Sequence, residues 1–98
     1  MTEIFWTSRA LADVDAIFNF AARNSEQYAE LVVQRIFRAV SRLEDFPQSG
    51  RVVEEYARED VREVIQVPYR IVYRLVSQEA HVLVVQHGAR MLPEMLPE

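Results

Sequence analysis

From Leu11 to Leu43 apolar residues recur every three or four positions, whereas from Arg62 to Gln86 they tend to alternate with polar ones. The first period is that of an α-helix and the second that of a β-strand. Leu11, Val14, Ile17, Phe18 and Ala21 predict a helix that starts at a Thr7-Ser8 cap and runs to about Ala22. Arg23-Asn24-Ser25 interrupts the pattern. Ser25 then suits the N-cap of a second helix with Ala29, Val32, Val33, Ile36, Val40 and Leu43 on its apolar side, closed by Pro47. So short a break makes the two helices antiparallel neighbours sharing one apolar face.

Glu3 to Trp6 reads as a short first strand. After Gly50 the segments Arg62–Val67, Arg70–Val76 and His81 to Gln86 or His87 are of strand length and rich in Val, Ile and Tyr. Pro68-Tyr69 and Ser77-Gln78-Glu79-Ala80 are short enough to be hairpin turns, so these three strands form an antiparallel meander. Glu54 to Asp60 is polar and reads as a loop. The tail from Met91 to Glu98 contains Leu92-Pro93 and Leu96-Pro97; its prolines exclude a continuous helix and suggest an extended or flexible segment. The expectation is an α+β fold in the order β-α-α-β-β-β, the helices covering one face of the sheet, in one domain over residues 1–98.

Composition narrows what such a domain does. The chain lacks cysteine, which removes disulfides, thiolate nucleophiles and thiolate metal sites, and suits a reducing compartment. No basic stretch followed by an apolar run opens it and no apolar run is of membrane-span length, so a cytoplasmic protein without membrane contact is expected. Net charge is -4, with all 11 basic residues arginine. Proteins that neutralise many phosphates carry a positive excess, so direct DNA binding is not expected.

The candidate chemistry lies on the strands. Along Arg70–Val76, Ile71, Tyr73 and Leu75 face one way and Arg70, Val72, Arg74 and Val76 the other. If the first set covers the helices, Arg70 and Arg74 stand on an open face roughly 13 Å apart, a spacing for two separate anions or carboxylates. The alternative is that each pairs with Glu63, Glu79 or another surface acid. Arg51, after Gly50, and Arg90, after the last strand, are candidates to converge on that face, although Arg51 equally suits anchoring the Pro47–Gly50 turn. His87 is the acid–base candidate, since histidine titrates nearest neutral pH, or else a strand-ending side chain bonded to backbone. His81 reads as solvent-exposed and Tyr73 as a core residue. The two histidines have no carboxylate at ligand spacing and no serine has triad neighbours, so no metal, cofactor or Ser-His-acid site is expected.

Several of these features recur, in order, in one family. Ser8-x-Ala10-x-x-Asp13-Val14 opens the first helix, and Leu43-x-x-x-Pro47-x-x-Gly50-Arg51 follows the second. Arg62-Glu63-Val64 starts a strand, followed by Tyr69-Arg70-Ile71-Val72-Tyr73-Arg74 and Val85-x-His87-x-x-Arg90. Together they resemble the RelE/ParE superfamily of toxins from bacterial toxin–antitoxin systems. The resemblance implies a growth-arresting protein neutralised by an antitoxin encoded beside it, whose C-terminal segment wraps the toxin. It also implies one of two targets. RelE-like members cut mRNA on the ribosome, which would cast His87, Arg51, Arg70 and Arg90 as catalytic residues. ParE-like members poison DNA gyrase by protein contact, which would make Arg70, Val72, Arg74 and Arg90 a binding surface. The His87-x-x-Arg90 ending, the acidic balance and the missing lysines lean towards the ParE branch. A non-toxic antitoxin-binding partner is the third reading.

Overall fold

The computed structural model describes residues 1–97. Its elements are β1 (Glu3–Trp6), α1 (Ser8–Ala22), α2 (Glu26–Ser41) extended by a 3-10 turn (Arg42–Glu44), β2 (Arg51–Val52), β3 (Val61–Gln66), β4 (Tyr69–Val76) and β5 (Glu79–His87). The sheet has five strands in the order β1-β5-β4-β3-β2. β3, β4 and β5 form the expected meander, while β1 pairs parallel to β5, with Ile4 opposite Ala80 and Trp6 opposite Val82. β2 was not expected: two residues after Gly50 pair antiparallel to β3, too few to leave a periodic trace in the sequence.

Both helix starts follow from side-chain capping. Thr7 Oγ1 accepts the Ala10 N–H at 3.1 Å and donates to the Val82 carbonyl at 2.7 Å, tying the start of α1 to β5. Ser25 Oγ accepts the Tyr28 N–H at 3.1 Å. Each cap satisfies an N–H that the first helical turn leaves without a backbone partner, a contribution of about 1 kcal/mol.

The helices lie on one face of the sheet, as their pattern predicts. Val14 from α1, Val32, Ile36 and Val40 from α2, and Leu43 pack against Ile71, Tyr73, Val82 and Val85. Burying each of the larger side chains contributes about 1.5–3 kcal/mol. Ala10 and Ala80 are fully buried in the same layer, where a larger side chain would hold helix and sheet apart. Leu11, expected on the apolar side of α1, is instead 47 % exposed.

The other face of the sheet is covered as well, which corrects the expectation of an open one. Val53, Val61, Val72, Leu83, Val84 and Leu92 form a second buried cluster, roofed by Tyr56 and Leu96. Its cover is the 53–60 loop and the tail, with Tyr56 Oη donating to the Pro93 carbonyl at 2.6 Å. Gln86 Nε2 donates to the carbonyls of Arg90 and Met91, at 3.2 and 3.1 Å. The tail holds no helix and bends at Glu94-Met95, and it is docked through Leu92; Glu98 lies outside the described residues. A register shift between β4 and β5 after Val72 leaves Leu83 and Val84 both on this outer face.

Two hairpin turns differ from expectation by a residue or two. The first is Val67-Pro68, so β4 begins at Tyr69. The second is Ser77-Gln78, so β5 begins at Glu79; Ser77 takes a left-handed conformation (φ 56) of the kind two-residue hairpin turns need.

Candidate functional site

The polar half of the outer sheet face carries a cleft of about 830 Å³ beside the second cluster. β2 supplies Arg51, β3 supplies Glu63 and Ile65, β4 supplies Arg70, and the 53–60 loop supplies Glu55. Glu63, 3 % exposed, is the hub. Its Oε1 accepts Arg70 Nε at 2.6 Å, and its Oε2 accepts Arg70 Nη2 at 3.0 Å and Arg51 Nε at 3.2 Å. From the other side Arg70 Nη1 and Nη2 reach the two Glu55 oxygens at 2.7 and 3.0 Å. Arg70 is thus held by two carboxylates, each in a two-bond fork, the geometry in which guanidinium pairs most strongly.

The electrostatics follow from that chain of alternating charge. The Arg70 fork, with a backbone hydrogen bond of its own, holds the Glu55 carboxyl at about 2, against a usual 4.5. The hydrogen bonds from Arg70 to Glu55 and Glu63 push its own pKa up, so the guanidinium stays charged throughout. Arg51 differs. Only its Nε is bonded to Glu63 and its side chain is 70 % exposed, leaving the terminal nitrogens at the cleft rim.

Arg51 is aimed by the backbone beneath it. The Gly50 N–H donates to Tyr73 Oη at 3.1 Å, Tyr73 Oη donates to the Pro47 carbonyl at 2.7 Å, and Arg62 Nη1 donates to the Gly50 carbonyl at 3.0 Å. A Cβ on Gly50 would meet Tyr73 Oη at 2.6 Å and the Glu63 carbonyl at 2.7 Å, so no other residue fits without displacing β3. Burial pushes the Tyr73 phenol pKa up, and at neutral pH it remains a donor.

The sequence candidates do not share one place. Arg51 and Arg70 come together at this cleft. Arg74 lies further along β4 and pairs with Asp60 at 3.3 Å, so the pairing alternative describes it as it does Arg70. Val72 lies beneath the second cluster with no exposed surface, which removes it from the accessible face. His87 pairs in register with Tyr69, and the two rings meet edge-on with centroids 6.2 Å apart. Tyr69 packs on the helix side, so strand alternation puts Arg70 on the opposite face of the sheet from His87. His87 Nδ1 accepts the Ala89 N–H at 3.0 Å. Arg90 lines a different cleft, against α1. His81, expected to be solvent-exposed, is half-buried, bonded to Glu79 at 2.9 Å and tilted over Phe5.

Glu63 was read only as an alternative partner for the strand arginines, not as a site residue, and Glu55 was not singled out. One signal was available for Glu63: a hairpin turning at Val67-Pro68 puts Ile65 opposite Arg70 and Glu63 diagonal to it, a pairing distance for long side chains. Glu55 reaches Arg70 only through the path of the loop, which no local pattern encodes.

The family model described as the ParE toxin of the type II toxin–antitoxin system, parDE, matches residues 4–92. The chain belongs to this toxin family. Among its relatives, Toxin RelE2 of Caulobacter vibrioides is 33 % identical over 92 residues, covering 93 % of this chain and all of that protein. The Y4kP protein of Sinorhizobium fredii is 35 % identical over 95 residues, 95 % of each chain. Among solved structures, a chain of the chromosomal ParDE TA system from P. aeruginosa superposes with a TM-score of 0.73 at 24 % identity, covering 89 % of this chain and 96 % of that one. That last likeness is one of fold. This ParE-family chain is accordingly a type II toxin, a class whose members come with an antitoxin partner. No helix among its described residues is long and apolar enough to cross a membrane.

Proposed function

We propose that this toxin arrests growth in the cytoplasm by binding DNA gyrase as a protein ligand, without cutting RNA, and that a cognate antitoxin neutralises it. One observation carries the proposal: the residues a metal-free ribonuclease would need do not converge. Such cleavage requires a base, an acid and a cation around one phosphate. Here His87 and Arg70 occupy opposite faces of the sheet, and the Arg70 guanidinium is taken up by Glu55 and Glu63. The net charge of -4 also opposes settling against the dense phosphate of a ribosome.

Purified toxin titrated into a supercoiling assay with purified gyrase tests this directly. Loss of supercoiling, with mRNA ends unchanged in expressing cells, is the expected result. Normal supercoiling at saturating toxin rejects the proposal.

The name of the 33 %-identical Caulobacter relative, RelE2, supports a second reading, ribosome-dependent mRNA cleavage. On that reading translating extracts show new mRNA ends, and His87→Ala or Arg90→Ala removes them while the fold persists.

A further inference from the structure

Where β5 runs beyond the end of β1, its outer edge meets α1 instead of a strand, and the Val85 N–H donates to Asp13 Oδ2 at 3.0 Å. Between α1 and the tail this leaves a small cleft of about 290 Å³, with Arg9 and Ile17 on one wall, Arg90, Met91 and Pro93 on the other, and Val85 beneath. The tail wall is fixed by the Gln86 and Tyr56 hydrogen bonds to its carbonyls. Arg9 engages Asp13 through Nε alone, at 3.1 and 3.2 Å. The exposed Arg90 side chain makes no hydrogen bond or ion pair among the described residues. Two guanidinium groups against one carboxylate make this cleft positive by one charge, in a chain whose net charge is -4.

We infer that this cleft docks an acidic segment of a protein partner, its carboxylate taken by Arg9 and Arg90 and an adjacent aliphatic side chain resting on Ile17 and Met91. The mixed lining selects the class of ligand. A polyanion would use the arginines, leave the apolar wall bare, and be repelled by the rest of the chain. A peptide with alternating acidic and aliphatic residues uses both, and the unbranched Met91 side chain adapts to what it meets. The inference rests on the proposal that a protein partner covers the toxin, and it does not depend on gyrase being the target.

The test is a titration of the ¹⁵N-labelled full chain, followed by NMR, with three probes: acetylated Leu-Glu-Leu-Glu-Leu amide, its Leu-Gln-Leu-Gln-Leu counterpart, and a short oligouridylate. The glutamate peptide is expected to shift the Ile17, Val85 and Gln86 amides and the Arg90 Nε–H. Arg90→Gln, which removes no hydrogen bond or ion pair among the described residues, should weaken it about fivefold, the scale of one exposed charge pair. Arg9→Gln should act similarly, with the remaining amide signals reporting whether the fold is kept. Equal shifts from the glutamine peptide, shifts confined to Arg51 and Arg70, or no shift at millimolar peptide would overturn the inference. Oligouridylate moving the same signals would reassign the cleft to nucleic acid. A negative gyrase assay leaves these shifts untouched, so the two proposals fail separately.

Discussion

The two faces of the sheet are both dry in the middle, yet they are closed by different means. On the inner face two capped helices bring Val14, Ile36, Val40 and Leu43 down on Ile71, Tyr73 and Val85. On the outer face Val72 and Val84 are buried just as fully, but under a loop and a proline-punctuated tail tied down by a few hydrogen bonds. A helix satisfies its own backbone and offers a continuous stripe of side chains, whereas a loop must find a separate partner for each peptide group it buries. The outer cover is therefore the less stable of the two. It is also the one beside the charged cleft, as expected where regions that open for partners are drawn from the weakly held parts of a fold.

The largest predicted effect lies on the inner face. Ile36→Ala leaves a cavity where the structure has no slack and should cost about 3–4 kcal/mol in urea unfolding. Leu92→Ala on the outer face should cost only about 2 kcal/mol, because the tail can settle into the space. If Leu92→Ala matches or exceeds Ile36→Ala, the outer cover is as integral as the helices and the contrast between the faces is wrong.

Next comes Tyr73→Phe, which strands the Gly50 N–H and the Pro47 carbonyl and should lose about 1–2 kcal/mol by thermal unfolding. That variant keeps the inner packing and disturbs the turn beneath Arg51, so it measures the link between the faces.

The smallest effect is electrostatic. The folded-state pKa of Glu55 lies at about 2, below its usual 4.5. Its pairing with Arg70 therefore favours folding above about pH 4.5, and that contribution is lost as pH falls towards 2. Glu55 is largely exposed, so Glu55→Gln should cost less than about 1 kcal/mol at neutral pH. The variant should then converge with the parent protein in acid. A difference between the two that persists at pH 2 would mean that Glu55 holds the loop by packing and not by charge.

The contrast also marks how far the sequence was legible. The helices could be read because their apolar residues repeat at 3.6 and their caps, Thr7 and Ser25, sit where the period begins. The meander could be read because Ile71, Tyr73 and Leu75 alternate. β2 could not, since Arg51-Val52 is shorter than any period and pairs only because Gly50 allows β3 to approach. The parallel pairing of β1 with β5 was equally silent, being set by where the helical hairpin returns the chain. At the site the structure brings Arg51 and Arg70 to one cleft, whereas the sequence grouped His87 and Arg90 with them. It separated neither the two sheet faces at His87 nor the two clefts at Arg90.

What the sequence by itself determined is what depends on near neighbours along the chain: two helices, four strands, their apolar faces, the absence of thiol chemistry and the acidic balance. Family membership belongs here too, since it is carried by ordered residues from Ile4 to Leu92. The tertiary structure decided what depends on residues far apart in sequence. It buried Val72 under Leu92, closed Glu63 between Arg51 and Arg70, and left Arg90 beside Arg9. The reason is physical: a side chain's period fixes the face it occupies, but only the packed chain fixes what covers that face and which charges lie within hydrogen-bonding reach.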